Sequence, residues 1–131
     1  MSNLIDLAER IERAKGPSYA LDCEIWDAIY PGERQARFDK LTAKGQPYYS
    51  RLGPADMDGY VQPLRAFTAS IDAAVTLVPE GWHGSVGVGR GAAEVWKPGK
   101  IDSNQFGCSA TPALALTAAA LRACSCNQAS S

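Results

Sequence analysis

The chain has 131 residues, 46% of them hydrophobic and 21% charged, as is typical of a soluble globular domain. Thirteen basic and fourteen acidic side chains give a net charge of -1. This balance argues against a nucleic-acid polymer as partner, because proteins that bind one usually carry a basic excess. No stretch reaches the roughly 18 apolar residues of a membrane span. The N-terminal stretch is amphipathic, carries acidic residues and has no apolar signal region, so it is not a secretory signal. We therefore expect one cytosolic domain over residues 1–131.

Two amphipathic helices are predicted at the start of the chain. The first covers residues 3–15, with Asn3 as its cap, and Gly16-Pro17 ends it. Its apolar stripe consists of Leu4, Leu7, Ala8 and Ile11. The second begins after Ser18 and ends before Pro31-Gly32. Its stripe consists of Leu21, Ile25, Trp26 and Ile29.

Residues 31–66 have no sustained hydrophobic period and are predicted to form a variable loop segment. The first part of this segment is locally basic. There, Tyr48, Tyr49 and Arg51 place aromatic rings beside positive charge, which suits an anionic ligand with a ring, such as a nucleotide. A solvated loop whose tyrosines fold back on the core is the simpler interpretation.

The stretch FTASIDAAVTLVPEGW, residues 67–82, predicts a capped helix that Pro79 and Gly81 end. Thr68 or Ser70 is the cap, and both are candidates for binding an anion at the helix N-terminus, a use that competes with capping. The expected core-facing stripe consists of Ile71, Ala74, Val75 and Val78. A catalytic triad of Ser70 with His83 is not supported, because no G-x-S-x-G elbow surrounds the serine.

Residues 82–89 and 92–97 predict two antiparallel strands joined by a turn at Gly89-Arg90-Gly91. The glycine run lacks the Lys-Ser or Lys-Thr of a phosphate-binding loop and is followed by strand-like residues, so a hairpin is the better interpretation. Arg90 at its tip can meet an anion. Trp82, His83 and Lys97 are further candidates for stacking on a base or pairing with phosphate. Trp82 is equally suited to the core.

A last helix is predicted from Thr111 as cap and Pro112 at the first helical position. It is apolar almost all round, so we expect the sheet and a second subunit to cover it. Its first turn has no lysine, which argues against a double-stranded-RNA-binding domain. The order α-α-loop-α-β-β-α predicts an α+β fold in which helices sandwich a small antiparallel sheet.

The cysteines stand at positions 23, 108, 124 and 126, and the only histidine is His83. This spacing does not match the paired ligands of a zinc site, so we expect free thiols and no metal.

Three segments carry a resemblance to a known family: LDCEIWDAI at 21–29, FTASIDAAVTLVPEGW at 67–82 and ATPALALTAAALRA at 110–123. Together with the two predicted strands, they resemble small phage and prophage proteins described as phage ABA-sandwich-domain proteins. The resemblance lies mainly from Phe67 onward and is silent about residues 31–66. It implies a phage origin and an α/β/α arrangement. It brings no catalytic residues and leaves the activity open.

These observations favour a non-catalytic binding protein that acts in the host cytoplasm, forms homo-oligomers and sequesters a nucleotide-type immune signal. The alternative is a phage accessory or structural protein that binds a host or phage protein through an apolar helix face. An enzyme ranks third, because no acidic residues have a spacing that defines a catalytic role. No cofactor is predicted. The candidate ligand-binding residues are Tyr48, Tyr49, Arg51, Thr68, Ser70, Trp82, His83, Arg90 and Lys97.

Overall fold

The computed structural model describes residues 4–33, 36, 66–87, 89 and 91–129. Contacts between Cα atoms divide the chain into two compact units, one formed by Met1–Ser18 with Phe67–Ser131 and the other by Tyr19–Ala66. The prediction of a single domain stays a prediction. Four candidate site residues lie outside the described residues: Tyr48, Tyr49, Arg51 and Arg90.

The described residues form helices and a three-stranded sheet, so the α+β class is confirmed. None of these helices combines the length and apolarity that crossing a membrane requires. In chain order the elements are α1 (Leu4–Arg13), α2 (Tyr19–Ile29), α3 (Ile71–Val75), β1 (His83–Val86), β2 (Ala92–Trp96), β3 (Gln105–Cys108) and α4 (Pro112–Ala129).

Helix α1 confirms the predicted amphipathic pattern. Its buried residues are Leu4, Leu7, Ala8 and Ile11. They recur at helical spacing, and α1 packs against α4. Asn3, the predicted cap, lies outside the described residues.

Helix α2 belongs to the second unit and confirms the second predicted helix. Leu21, Ile25 and Trp26 are buried, and Ile29 is half-buried. The indole Nε1 of Trp26 donates a hydrogen bond to Glu33 Oε1 at 2.6 Å. This bond satisfies the one polar group of a large side chain that is otherwise apolar.

The sheet has the order β1-β2-β3, and both neighbouring pairs are antiparallel. The predicted hairpin of β1 and β2 is confirmed, and a third strand that the sequence did not predict extends the sheet. Strand β3 follows a turn after β2 and pairs along the free side of that strand, with Glu94 opposite Phe106. In its sequence, Gln-Phe-Gly-Cys, the apolar Phe106 and Cys108 alternate with Gln105 and Gly107, but both apolar side chains are exposed and Gly107 is the buried position, so the alternation does not mark the core-facing side.

Helix α4 packs on one face of the sheet and against α1 and α3. Thr111 is the predicted cap, and its Oγ1 accepts a hydrogen bond from the backbone N–H of Leu114 at 3.2 Å. The helix is buried from Ala113 to Leu121, so elements of this chain cover the surface that we expected a second subunit to share. Ala115 and Ala119 contribute to a core cluster with Val95 of β2.

Helix α3 has only five residues and corrects the predicted stripe. Ala74 and Leu77 are buried, whereas Ile71 is 41% exposed and Val75 is 52% exposed. The prediction that Ile71 and Val75 face the core is therefore wrong. The face of the short helix that carries Ala74 packs against the core, and Leu77 in the following turn continues this buried face. Ile71 and Val75 therefore point away from the core.

Candidate functional site

An apolar groove lies between α3 and strand β1 of the first unit and has a volume of about 370 Å³. We call it the α3–β1 groove. Ile71, Val75 and Val78 line it from the helical side, and Gly84 and Val86 line it from the strand. Because Ile71 and Val75 are turned away from the core, they place exposed apolar surface beside the sheet. Contiguous apolar surface of this kind often marks a binding site.

Strand β1 lies at an edge of the sheet, with no further strand beside it in the described part of the chain. Its register pairs Ser85 with Glu94, and the N–H of Gly87 donates to the carbonyl oxygen of Ala92 at 2.9 Å. Residues of an antiparallel pair alternate between hydrogen-bonded and non-hydrogen-bonded positions. Ser85 therefore occupies the same kind of position as Gly87, and its backbone N–H and C=O groups point toward β2. Gly84 and Val86 direct their N–H and C=O groups away from β2, where no described residue bonds to them.

Strand β1 is short, with four residues, but its edge lacks other features that usually protect a strand from pairing with another chain. The sequence of β1 is His-Gly-Ser-Val, without lysine or proline, and its pairing with β2 is continuous, without a bulge. Natural sheets usually guard an exposed edge with such features. The strand is instead open along the same two residues, Gly84 and Val86, that line the groove.

Ser70 and Thr68 have structural roles at the start of α3. The Oγ of Ser70 accepts a hydrogen bond from the N–H of Ala73 at 3.3 Å, which confirms it as the cap. Thr68 is buried, and its Oγ1 accepts from the N–H of Ser18 at 2.8 Å and donates to the carbonyl of Ser18 at 3.2 Å. The Thr68 hydroxyl is thus committed to the backbone of Ser18.

The other described candidates do not share one cavity. Trp82 is buried in the core cluster and contributes to the wall of the groove. His83 is exposed, and its ring lies 6.2 Å from the ring of Trp96. Lys97 is exposed, and its backbone N–H donates to Ser103 Oγ at 2.9 Å. Of the described candidates, only Trp82 lines the α3–β1 groove.

The sequence reasoning missed the groove because it assigned Ile71 and Val75 to the core. One signal was present in the sequence: the helix is followed, after a turn, by a short strand that contains a glycine and no lysine, arginine or acidic residue. Among the described residues, no three histidine, cysteine or acidic side chains are grouped so that they could hold a metal ion. The four cysteines are free thiols.

Comparison with known proteins gives no relative for this chain: no family model, no curated protein and no solved structure matches it. The resemblance to the phage family therefore stays a prediction.

Proposed function

We propose that this protein is a non-catalytic binding protein that takes up an extended segment of a partner protein as a fourth strand of its sheet, at β1. The observation that carries the proposal is the coincidence of an open strand edge and an apolar groove at Gly84 and Val86. Addition of a strand to an exposed sheet edge is a recurring mode of peptide recognition. Main-chain hydrogen bonds supply affinity, and alternate side chains supply specificity.

The backbone of β1 would recognise the backbone of the segment. The N–H and C=O groups of Gly84 and Val86 face the open side and offer two donors and two acceptors. An incoming strand that satisfies them has alternate side chains on the face of the sheet that carries α4. Those side chains enter the groove against Ile71 and Val75, both of which are exposed.

The groove also defines the chemistry of the segment. Its helical side is aliphatic, which favours apolar side chains at alternate positions. Glu80 is the charged residue of its lining, so a basic side chain near the apolar ones would complement it. The same carboxylate disfavours an anionic nucleotide in this groove. We infer that the partner is an apolar, extended segment with a basic residue, not a phosphate-bearing ligand.

The proposal agrees with the alternative function inferred from the sequence, the binding of another protein through an apolar helix face. It assigns that contact to a different helix. The apolar helix face expected to bind a partner was that of the last helix, and α4 is buried. Helix α3 supplies the exposed apolar face instead. If the chain is of phage origin, the partner would be a host or phage protein.

The test is binding of a peptide in which valine alternates with threonine, with lysine at both ends. Titration calorimetry gives the affinity, and NMR shifts of the Gly84 and Val86 amides locate the contact. Val86→Pro removes an outward N–H that no other described strand uses, so the fold should persist while binding is lost. Val86→Thr keeps the N–H and the branched shape, and it should bind with nearly the original affinity.

Val75→Asp tests the groove side of the same contact. Placing a charge among the aliphatic lining should weaken binding by about tenfold or more. Ile101→Asp is the matched control, because Ile101 is 88% exposed and is not part of the groove. Unchanged binding by folded Val86→Pro or Val75→Asp would overturn the proposal. So would stabilisation by adenosine nucleotides without any response to the peptide, or a stable dimer in which a second copy occupies β1.

A further inference from the structure

A second, shallow depression of about 240 Å³ lies beside Glu94 on the sheet. We call it the Glu94 depression. The pairing places Ser85, Glu94 and Phe106 in one row across the three strands. Side chains alternate along a strand, and Val95 and Gly107 point toward α4. Glu94 and Phe106 therefore belong to the opposite face of the sheet. The aliphatic side chains that line the α3–β1 groove do not line this depression.

The depression combines a fixed carboxylate with an exposed aromatic ring. Phe106 is 59% exposed, and Glu94 lies directly opposite it in the ladder. The side-chain amide of Asn104 donates a hydrogen bond to Glu94 Oε2 and holds the carboxylate in place. Within the described part of the chain, no lysine or arginine pairs with Glu94. With respect to the described residues, the carboxylate is thus oriented, accessible and not paired with a cation.

We propose that the Glu94 depression binds an arginine side chain of a partner protein. A guanidinium group can donate to the carboxylate of Glu94 while its plane lies against the ring of Phe106. Each carboxylate oxygen has two lone pairs, so the bond from Asn104 leaves acceptor positions open. The flat, delocalised cation suits an open depression lined by a ring better than the compact ammonium group of lysine does. The carboxylate also repels phosphate, so this site is selective for cations.

The experiment titrates the full chain with N-acetyl-arginine amide and follows the backbone amides of Glu94 and Phe106 by NMR. N-acetyl-citrulline amide, which has nearly the same shape without the charge, is the ligand control. Arginine amide should give saturable shifts at both residues, and citrulline amide should not. Equal shifts with both ligands, or none with arginine amide, would overturn the proposal.

Two variants separate the parts of the site. Glu94→Gln keeps the size of the side chain and removes its charge, and it should weaken arginine binding by about fivefold. Phe106→Leu keeps an apolar side chain and removes the ring, with a loss of about two- to fivefold. Glu9→Gln removes an exposed carboxylate on α1, outside both the depression and the α3–β1 groove, and should leave the affinity unchanged. The proposal fails if Glu94→Gln retains the NMR spectrum of the folded chain and binds as tightly as the original protein.

Discussion

Glu12 and Arg122 form a bidentate ion pair that joins α1 to α4. Arg122 Nη2 lies 2.6 Å from Glu12 Oε1, and Arg122 Nη1 lies 2.8 Å from Glu12 Oε2. The same two side chains bind β3: the N–H of Cys108 donates to Glu12 Oε2 at 2.9 Å, and Arg122 Nη1 donates to the carbonyl of Phe106 at 2.8 Å. The side chains are 19% exposed at Arg122 and 24% exposed at Glu12, so water screens the pair only in part.

Because this pair joins three elements, Glu12→Gln should lower the free energy of unfolding. Glutamine keeps the length of the side chain but loses the charge that strengthens both hydrogen bonds from Arg122. We expect a loss of about 1–2 kcal/mol, measured by urea denaturation. Glu80→Gln, at an exposed position, should change stability by less than about 0.5 kcal/mol. Equal effects of the two substitutions would show that the pair adds no stability.

The contribution of Glu12 should depend on pH in a defined direction. The hydrogen bonds from Arg122, the bond from the Cys108 N–H and the positive charge of Arg122 hold the pKa of Glu12 below its ordinary value of 4.5, despite partial burial. A carboxyl whose pKa is lowered by folding stabilises the folded state above its unfolded pKa and loses that effect as pH falls through the folded pKa. The stability difference between the original chain and Glu12→Gln should therefore stay constant from about pH 7 to about pH 5 and shrink below pH 4.5. A difference that grows on acidification would contradict this.

Thr68 provides a test that separates a structural role from a ligand-binding one. Its buried hydroxyl both accepts from and donates to the backbone of Ser18. Thr68→Val removes both bonds to the partly buried backbone of Ser18, so we expect a loss of about 1–3 kcal/mol in the free energy of unfolding. Thr68→Ser keeps the hydroxyl and should recover most of the loss. If Thr68→Val is as stable as the original chain, the hydroxyl is available for another role.

The elements that the sequence predicts best are those specified by local pattern. Helix α1 follows from the spacing of its four buried residues, and the start of α4 follows from Thr111 and Pro112. Strand β3 has only a four-residue alternation whose apolar members, Phe106 and Cys108, are exposed. Its extended form depends on pairing with β2 and on α4 lying close to Gly107, and these four residues do not specify either contact by themselves.

The candidate site could not be predicted for a related reason. The spacing of Ile71, Ala74, Val75 and Val78 specifies a helix but not which part of its surface faces the core. Likewise, a predicted hairpin has two edges, and the pairing of β3 with β2 leaves β1 as an edge strand of the sheet that the described residues form. The α3–β1 groove depends on both of these long-range choices.

Gly107 allows α4 to approach β3 closely, and adding a methyl group there should be costly. A Cβ on Gly107 would overlap the carbonyl oxygen of Ala115 and lie 2.9 Å from the backbone nitrogen of Ala119. Backbone atoms cannot move aside as a flexible side chain can, so Gly107→Ala should lower the free energy of unfolding by about 1–3 kcal/mol or more. Gly16→Ala is the control, because a Cβ on Gly16 meets nothing within 4 Å. A mild effect at Gly107 equal to that at Gly16 would contradict the close packing seen here.

The thiol of Cys124 should be chemically protected in the folded protein. Its Sγ donates to the carbonyl of Leu77 at 3.2 Å, and burial raises its pKa to about 11. The thiolate is the reactive form, so at about pH 8 only about one Cys124 thiol in a thousand is ionised. Cys108 is exposed and should be alkylated by iodoacetamide first, whereas Cys124 should react at an appreciable rate only after urea unfolds the chain. Mass spectrometry of digests taken over time identifies each modified site.

Cys108→Ser should remove the fast phase of alkylation and leave Cys124 protected. Rapid modification of Cys124 in the folded chain would mean that α4 does not bury this thiol beside Leu77.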